Sequence, residues 1–225
     1  MTFRLHHVQY ARSIRVLWLI EEIGLEEKLG RTLDVVEYKI GSKQMYEGEL
    51  PKVSTASRVP ALEIGSKRIS ESGAIVQYLI EEFAPELGVD PGGAERTDYL
   101  QWIHYSETMA SLVEQLNLQM VFLRPPAKPS PIVVKLNVAR LRHTLVGLEA
   151  RLEGRDWLLD KGFSGADIML AFNLFAVPYY VKLDEFPNIL TYKARVEAMP
   201  SYQRVIEREG EQRFYDRDFY PVPQE

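Results

Sequence analysis

The residues whose types and spacing most clearly indicate a binding or catalytic role lie in one segment, Ser57 to Ser72. Pro60 follows an aperiodic stretch and opens a predicted strand, where its missing N–H costs no ladder hydrogen bond. The bond before Pro60 is either an ordinary trans bond or a cis bond that turns the Val59 backbone toward solvent. Farther along, Ser70-Glu71-Ser72 precedes a predicted helix, whose first amides and the Ser72 hydroxyl suit a carboxylate. The same three residues could instead only cap that helix.

The residue types also exclude several chemistries. The chain has no cysteine, so any thiol in its reaction must come from a ligand, and dithiol exchange of the thioredoxin kind is excluded. The pair His6-His7 falls in a predicted strand, where adjacent side chains point to opposite faces and do not readily chelate one ion. We therefore expect no metal site.

Composition predicts an ordinary globular protein. The chain has 225 residues, 46% of them hydrophobic, and a net charge of −5, which fits one large domain or two small ones. That charge disfavours non-specific nucleic-acid binding, which needs a basic face. The N-terminus lacks the apolar core of a signal peptide, and no apolar run is long enough to span a bilayer. We expect a cytoplasmic protein that binds neither nucleic acid nor membrane.

The chain changes character near residue 85. Before it, strand-like and helix-like patterns follow the order β-α-β-loop-β-β-α, with a hairpin turn predicted at Gly65-Ser66. Residues 84–94 contain two prolines and three glycines, which indicates a linker, and only helical patterns follow. The sequence therefore predicts an α/β domain over 1–84, a linker over 85–94 and an all-helical domain over 95–225.

A second motif, Ser164-Gly165-Ala166-Asp167, stands ahead of an apolar helix with the spacing of a capping box. The Ser164 hydroxyl can accept the amide of Asp167, and the Asp167 carboxylate can accept the amide of Ser164. Because the helix is apolar nearly all round, it should be buried, and a buried helix end must satisfy its amides. We interpret this motif as structural.

Three blocks, taken in order, resemble the cytosolic glutathione transferase family: LHH…RSIRVLWLIEEIGLE at 5–26, RVPALEIGSKRISESGAIVQYL at 58–79 and SGAD at 164–167. The resemblance covers the whole chain. It implies a thioredoxin-like N-terminal domain with a mixed four-stranded sheet and an all-α C-terminal domain that lines an acceptor pocket. It also implies a homodimer, and glutathione as the thiol that the chain lacks.

The resemblance further implies which residues bind glutathione. In the family, the residue before a cis-proline pairs its backbone with the cysteine moiety, which implies Val59 and a cis bond to Pro60. An acidic residue and a serine that open the third helix hold the γ-glutamyl end, which implies Glu71 and Ser72. The candidates for the glycyl carboxylate, each of which also reads as a solvated surface charge, are Lys43 and Arg58.

The bound thiol must then be activated, because a free thiol has a pKa of about 8.5 and forms little thiolate at neutral pH. One charge-assisted hydrogen bond worth about 1.5–3 kcal/mol, with about 0.3–1 kcal/mol more from a helix N-terminus, would lower that pKa by about two units. The resemblance places the donor at the start of the first helix, where the candidates are Tyr10 and Ser13, with Arg12 as an electrostatic helper. In many relatives the active residue lies six positions before the helix residue that corresponds to Val16, and this spacing favours Tyr10. A backbone amide alone is a further alternative.

The predicted function is therefore a glutathione transferase that activates the thiol of bound glutathione for attack on a small hydrophobic electrophile. Conjugation, dehalogenation and peroxide reduction would all use the same thiolate. A binding or regulatory protein of the same fold, without turnover, is the alternative.

Overall fold

The computed structural model describes residues 2–223. They form two compact units, the first comprising residues up to Gly93 together with Ala198–Gln212, and the second comprising Ala94–Glu197 and the residues from Arg213 onward. Within the described residues, no helix is long and apolar enough to cross a membrane.

The elements of the first unit alternate between strand and helix before the last helix returns from the end of the chain. They are β1 (Thr2–His7), α1 (Ile14–Glu22), α2 (Leu25–Leu29), β2 (Asp34–Glu37), α3 (Gln44–Glu47), α4 (Leu50–Val53), β3 (Ala61–Gly65), β4 (Lys67–Ser70), α5 (Ser72–Phe83), a 3-10 turn (Pro85–Leu87) and α10 (Pro200–Glu209). The short helices α3 and α4 lie in the polar stretch before Pro60, where the sequence shows neither a helical nor a strand periodicity.

The four strands form one mixed sheet in the order β2-β1-β3-β4. The β1–β2 pair is parallel and the other two pairs are antiparallel, which confirms the predicted mixed four-stranded sheet. Helices α1 and α5 pack together, and their apolar faces are buried in the core of this unit.

Strand register brings distant residues to one edge of the sheet. Ala61 pairs with His6 on one side and with Ser70 on the other. The residues just beyond that row, Pro60 and Glu71, therefore leave the sheet at the same edge, next to the point where β1 ends at His7. This register places the segments before β3 and after β4 side by side.

The segment 198–212 packs in the first unit, whereas the sequence placed everything after residue 94 in a helical domain. The indole N–H of Trp18 in α1 donates to the Ser201 hydroxyl at 3.1 Å, and the Trp18 ring packs edge-on against Tyr202. The pairing joins residues 183 positions apart, so no local pattern indicates it.

The second unit is helical, as predicted. Its elements are α6 (Arg96–Asn117), which continues as a π-helix (Leu118–Phe122), then α7 (Pro131–Leu152), α8 (Gly165–Ala171), two 3-10 turns (Phe172–Phe175 and Val177–Tyr179) and α9 (Pro187–Glu197). The chain's aromatic tail packs within the same unit, where Tyr215 stacks on Tyr179 with ring centroids 3.8 Å apart.

The predicted capping box at the start of α8 is confirmed. The fully buried Asp167 carboxylate accepts the amide of Ser164 at 2.9 Å, the amide of Leu158 at 3.0 Å and the hydroxyl of Tyr192 at 3.0 Å. Burial raises the pKa of Asp167 to about 6, although these hydrogen bonds act in the opposite direction. One carboxylate thus ties together the start of α8, the loop before it and α9.

Candidate functional site

A pocket of about 150 Å³ opens at the sheet edge where Pro60 and Glu71 emerge. Its lining residues are Arg12, Ser54, Arg58, Val59, Pro60, Glu71 and Ser72. Five of the residues predicted to bind glutathione therefore line one cavity, together with one of the three predicted to activate the thiol.

The bond between Val59 and Pro60 is cis, as predicted. Pro60 is buried at the start of β3, whereas Val59 is half-buried and lines the pocket. Val59 is therefore the residue of this segment that a ligand in the cavity can approach, whereas the amides of Ser57 and Arg58 donate to Ser54.

Ser72, the first residue of α5, lines this pocket and is buried. Its hydroxyl oxygen accepts a hydrogen bond from Nη1 of Arg15 at 2.9 Å. The hydroxyl proton of Ser72 is thus left to donate elsewhere, as a carboxylate ligand at a helix N-terminus requires.

Arg15 is the functional residue that sequence reasoning missed. Its charged side chain is fully buried within the run of residues 14–20, whose other members are all apolar. A cation inside such a run was the available signal, because arginine is almost never fully buried unless it is paired. Through Ser72, Arg15 contributes a positive charge directly behind the pocket.

Backbone strain is concentrated around the same cavity. Of the residues that the structure describes, the three with positive φ other than glycine are Tyr10 at 53°, Ser57 at 52° and Glu71 at 72°. Glu71 lines the pocket, Ser57 adjoins the lining residue Arg58, and Tyr10 lies two residues before Arg12. Each such residue costs about 1–3 kcal/mol, and strain of this kind is typical of binding and active sites.

The three candidates for thiol activation occupy different environments. Arg12 lines the pocket. The Ser13 hydroxyl is fully buried 2.7 Å from Nδ1 of His7, and the Tyr10 hydroxyl donates to the carbonyl of Gly210 at 2.5 Å. Neither Tyr10 nor Ser13 is among the lining residues, so the structure brings only Arg12 to the cavity, whereas the sequence favoured Tyr10.

The two candidates for a second carboxylate also differ. Arg58 lines the pocket, with its side chain exposed at the rim. Lys43 is exposed at the start of α3 and is not among the lining residues. Of these two candidates, Arg58 is therefore the one that the structure brings to the cavity.

The charges of the lining suit a zwitterionic ligand with an excess of negative charge. Arg12 and Arg58 supply two cations, and Glu71 supplies one exposed anion. Across residues 2–223 there is no group of three or more histidine and acidic side chains that could hold a metal ion. The two cations of the lining suit carboxylates, and Glu71 suits an ammonium group.

Comparison with protein families gives two matches. Residues 1–81 match the model of the glutathione S-transferase N-terminal domain, and residues 115–200 match the model of the glutathione S-transferase C-terminal domain. The pocket-lining residues all fall in the first match.

Individual relatives share only about a quarter of their residues or fewer with this chain. The chain is 25% identical to "Glutathione S-transferase 1" of Saccharomyces cerevisiae, across 88% of this chain and 92% of that protein. Among solved structures, a glutathione transferase of Phanerochaete chrysosporium with oxidized glutathione has a TM-score of 0.80 at 21% identity, covering 92% of this chain and 94% of that one. A glutathione transferase of Pseudomonas putida with bound glutathione disulfide has a TM-score of 0.77 at 21% identity, covering 90% of each chain. At these identities the structures share the fold.

Proposed function

The chain belongs to the cytosolic glutathione S-transferase family, and we propose that it binds glutathione in the pocket at the sheet edge and transfers its thiolate to small electrophiles. The observation that carries this proposal is the meeting of the cis Val59–Pro60 segment with Glu71 and Ser72 in one cavity. The strand register that produces this meeting is independent of the family match.

Each charged group of glutathione has a partner in this proposal. The backbone of Val59 pairs with the cysteine moiety. The γ-glutamyl carboxylate accepts from Ser72 and the first amides of α5, with Arg15 behind them, and Glu71 pairs with the adjacent ammonium. Arg58 at the rim faces the glycyl carboxylate.

The thiol is activated by the segment that precedes α1. Arg12 is the candidate in the lining, and a guanidinium beside the sulfur favours the thiolate over the thiol. The first turn of α1 contains no acidic residue, so the partial positive charge of its N-terminus acts in the same direction. The thiolate sulfur then forms a bond to the electrophilic atom while the bond from that atom to the leaving group breaks, and the leaving group departs with the electron pair.

Two measurements test this function. Calorimetry should detect glutathione binding to the wild type, and turnover should be measured with an aryl halide and an organic hydroperoxide. Binding with turnover supports the transferase, whereas binding without turnover on any electrophile identifies a binding protein. Absence of binding would overturn the proposal.

A homodimer is proposed as the working assembly, with support from exposed apolar side chains near the start of α7, namely Ile132 and Leu136. Light scattering should give twice 25.9 kDa at micromolar concentration, and a mass of one chain would contradict the dimer. A cytoplasmic location stays a prediction.

A further inference from the structure

The last residue of α10, Glu209, holds a buried carboxylate whose two oxygens serve two different donors. Oε1 lies 3.0 Å from Nε2 of His7, at the end of β1. Oε2 accepts the backbone amide of Tyr10 at 2.6 Å, in the loop between β1 and α1. One side chain from the far end of the sequence thus holds both the strand end and the loop.

Further contacts join the same two segments. The Gln9 side chain donates to the carbonyl of Glu209, and the Tyr10 hydroxyl donates to the carbonyl of Gly210. The other ring nitrogen of His7, Nδ1, lies 2.7 Å from the hydroxyl of Ser13, the residue immediately before α1. Hydrogen bonds therefore run from α10 through His7 to the start of α1.

These contacts surround the strained residue of the loop. Tyr10 has φ of 53°, a conformation that a non-glycine residue keeps only where its surroundings determine it. The carboxylate of Glu209 accepts the Tyr10 amide and so holds that amide in its present direction. Because Arg12 follows Tyr10 by two residues, the bend at Tyr10 sets where the Arg12 side chain begins.

We propose that Glu209 is a positioning residue for thiol activation, which holds the loop between β1 and α1 in the bend that brings Arg12 to the pocket. This inference rests on the proposed glutathione chemistry for its functional consequence. Its structural part, a loop fixed by Glu209, stands on the contacts alone.

The variant Glu209→Gln isolates this role. Glutamine has the same shape, but an NH2 group that donates replaces one of the two oxygens, so it cannot accept at both the His7 and the Tyr10 positions. The matched control is Glu207→Gln, which makes the same chemical change on the exposed side of α10. Neither substitution changes Val59, Glu71 or Ser72, to which we assign glutathione binding.

The functional test is titration of glutathione bound to each protein, followed by the ultraviolet absorbance of the thiolate. In Glu209→Gln we expect the apparent thiol pKa to rise by about one unit and kcat at neutral pH to fall about tenfold, with the Kd for glutathione within about twofold of the wild type. Glu207→Gln should match the wild type in all three. A thiol titration unchanged in Glu209→Gln would overturn the proposal, and so would a loss of affinity without a change in the titration.

A second measurement needs no glutathione, and its first part uses only the wild-type protein. In the free wild-type protein, hydrogen exchange followed by NMR should show the Tyr10 amide protected to a degree comparable with the amides of α1. Where Glu209→Gln folds, that protection should fall at least tenfold while α10 stays protected. An unprotected Tyr10 amide in the wild type would overturn the inference even if glutathione binds, whereas protection without glutathione binding would leave the loop restraint standing and overturn the proposed function.

Discussion

The carboxylate of Glu209 accepts the backbone amide of Tyr10 at 2.6 Å, across 199 positions of sequence. The loop that precedes α1 is therefore shaped by the last helix of the chain as well as by the strand it follows. This matters for the choice of thiol-activating group, because the same loop carries Tyr10, Arg12 and Ser13 and only Arg12 lines the pocket.

Substitution of Arg12 is expected to weaken thiol activation more than binding. In Arg12→Gln the thiol pKa of bound glutathione should rise by about one unit, equivalent to about 1.4 kcal/mol, because a positive charge beside the sulfur is lost. Tyr10→Phe and Ser13→Ala should shift it less, since both hydroxyls have partners elsewhere in the unit. Thiolate absorbance against pH in the three variants measures the difference.

The opposite order would be equally informative. If Tyr10→Phe shifts the titration more than Arg12→Gln does, the hydroxyl exchanges Gly210 for the thiolate when glutathione binds. Tyr10 would then be the donor, as the sequence predicts.

Arg15 is expected to act on one end of the ligand. In Arg15→Met the Kd for glutathione should rise about tenfold, because Ser72 loses the cation behind it, a hydrogen bond worth about 1.5–3 kcal/mol. A glutathione analogue with an amide in place of the γ-glutamyl carboxylate should bind the wild type and Arg15→Met with equal affinity. The control Arg31→Met changes an exposed arginine of the same unit and should bind glutathione like the wild type.

Stability provides the check on Arg15. Arg15→Met leaves the buried Ser72 oxygen without this donor, so the free energy of unfolding should fall by about 1–3 kcal/mol while the protein stays folded. Equal loss of affinity for glutathione and for the amide analogue would show that Arg15 supports the fold of the pocket rather than the carboxylate.

The sequence predicted those features that rest on local patterns. The hairpin at Gly65 and the capping box at Asp167 are confirmed. The mixed sheet and the cis bond at Val59, which the family resemblance implied, are confirmed as well. The contacts of Glu209 could not be predicted, because they depend on the return of α10 to the first unit. Arg15 was detectable in principle, as a cation in an apolar helix, but only its bond to Ser72 gives it a role.

Removal of the Asp167 carboxylate is expected to destabilise the fold without a direct effect on the pocket. Asp167→Ala should lower the free energy of unfolding by about 2–4 kcal/mol, because it deletes a helix cap and leaves the Leu158 amide and the Tyr192 hydroxyl without this acceptor. Chemical denaturation measures the change. Asp184→Ala, an exposed change in the same unit, should unfold like the wild type, and an unchanged midpoint in Asp167→Ala would contradict the capping role.

The raised pKa of Asp167 also predicts a pH dependence of stability. Its folded value of about 6 exceeds the ordinary value of 3.8, so the folded protein binds the proton more tightly than the unfolded chain does. The stabilisation from this proton is full below pH 3.8 and is lost as the pH rises toward 6, with a slope of about 1.4 kcal/mol per pH unit. Asp167→Asn cannot titrate, so the free energy of unfolding of the wild type minus that of Asp167→Asn should decrease between pH 4 and pH 6 and then level off. Denaturation curves across that range test this, and a difference independent of pH would show that the buried carboxylate stays ionised.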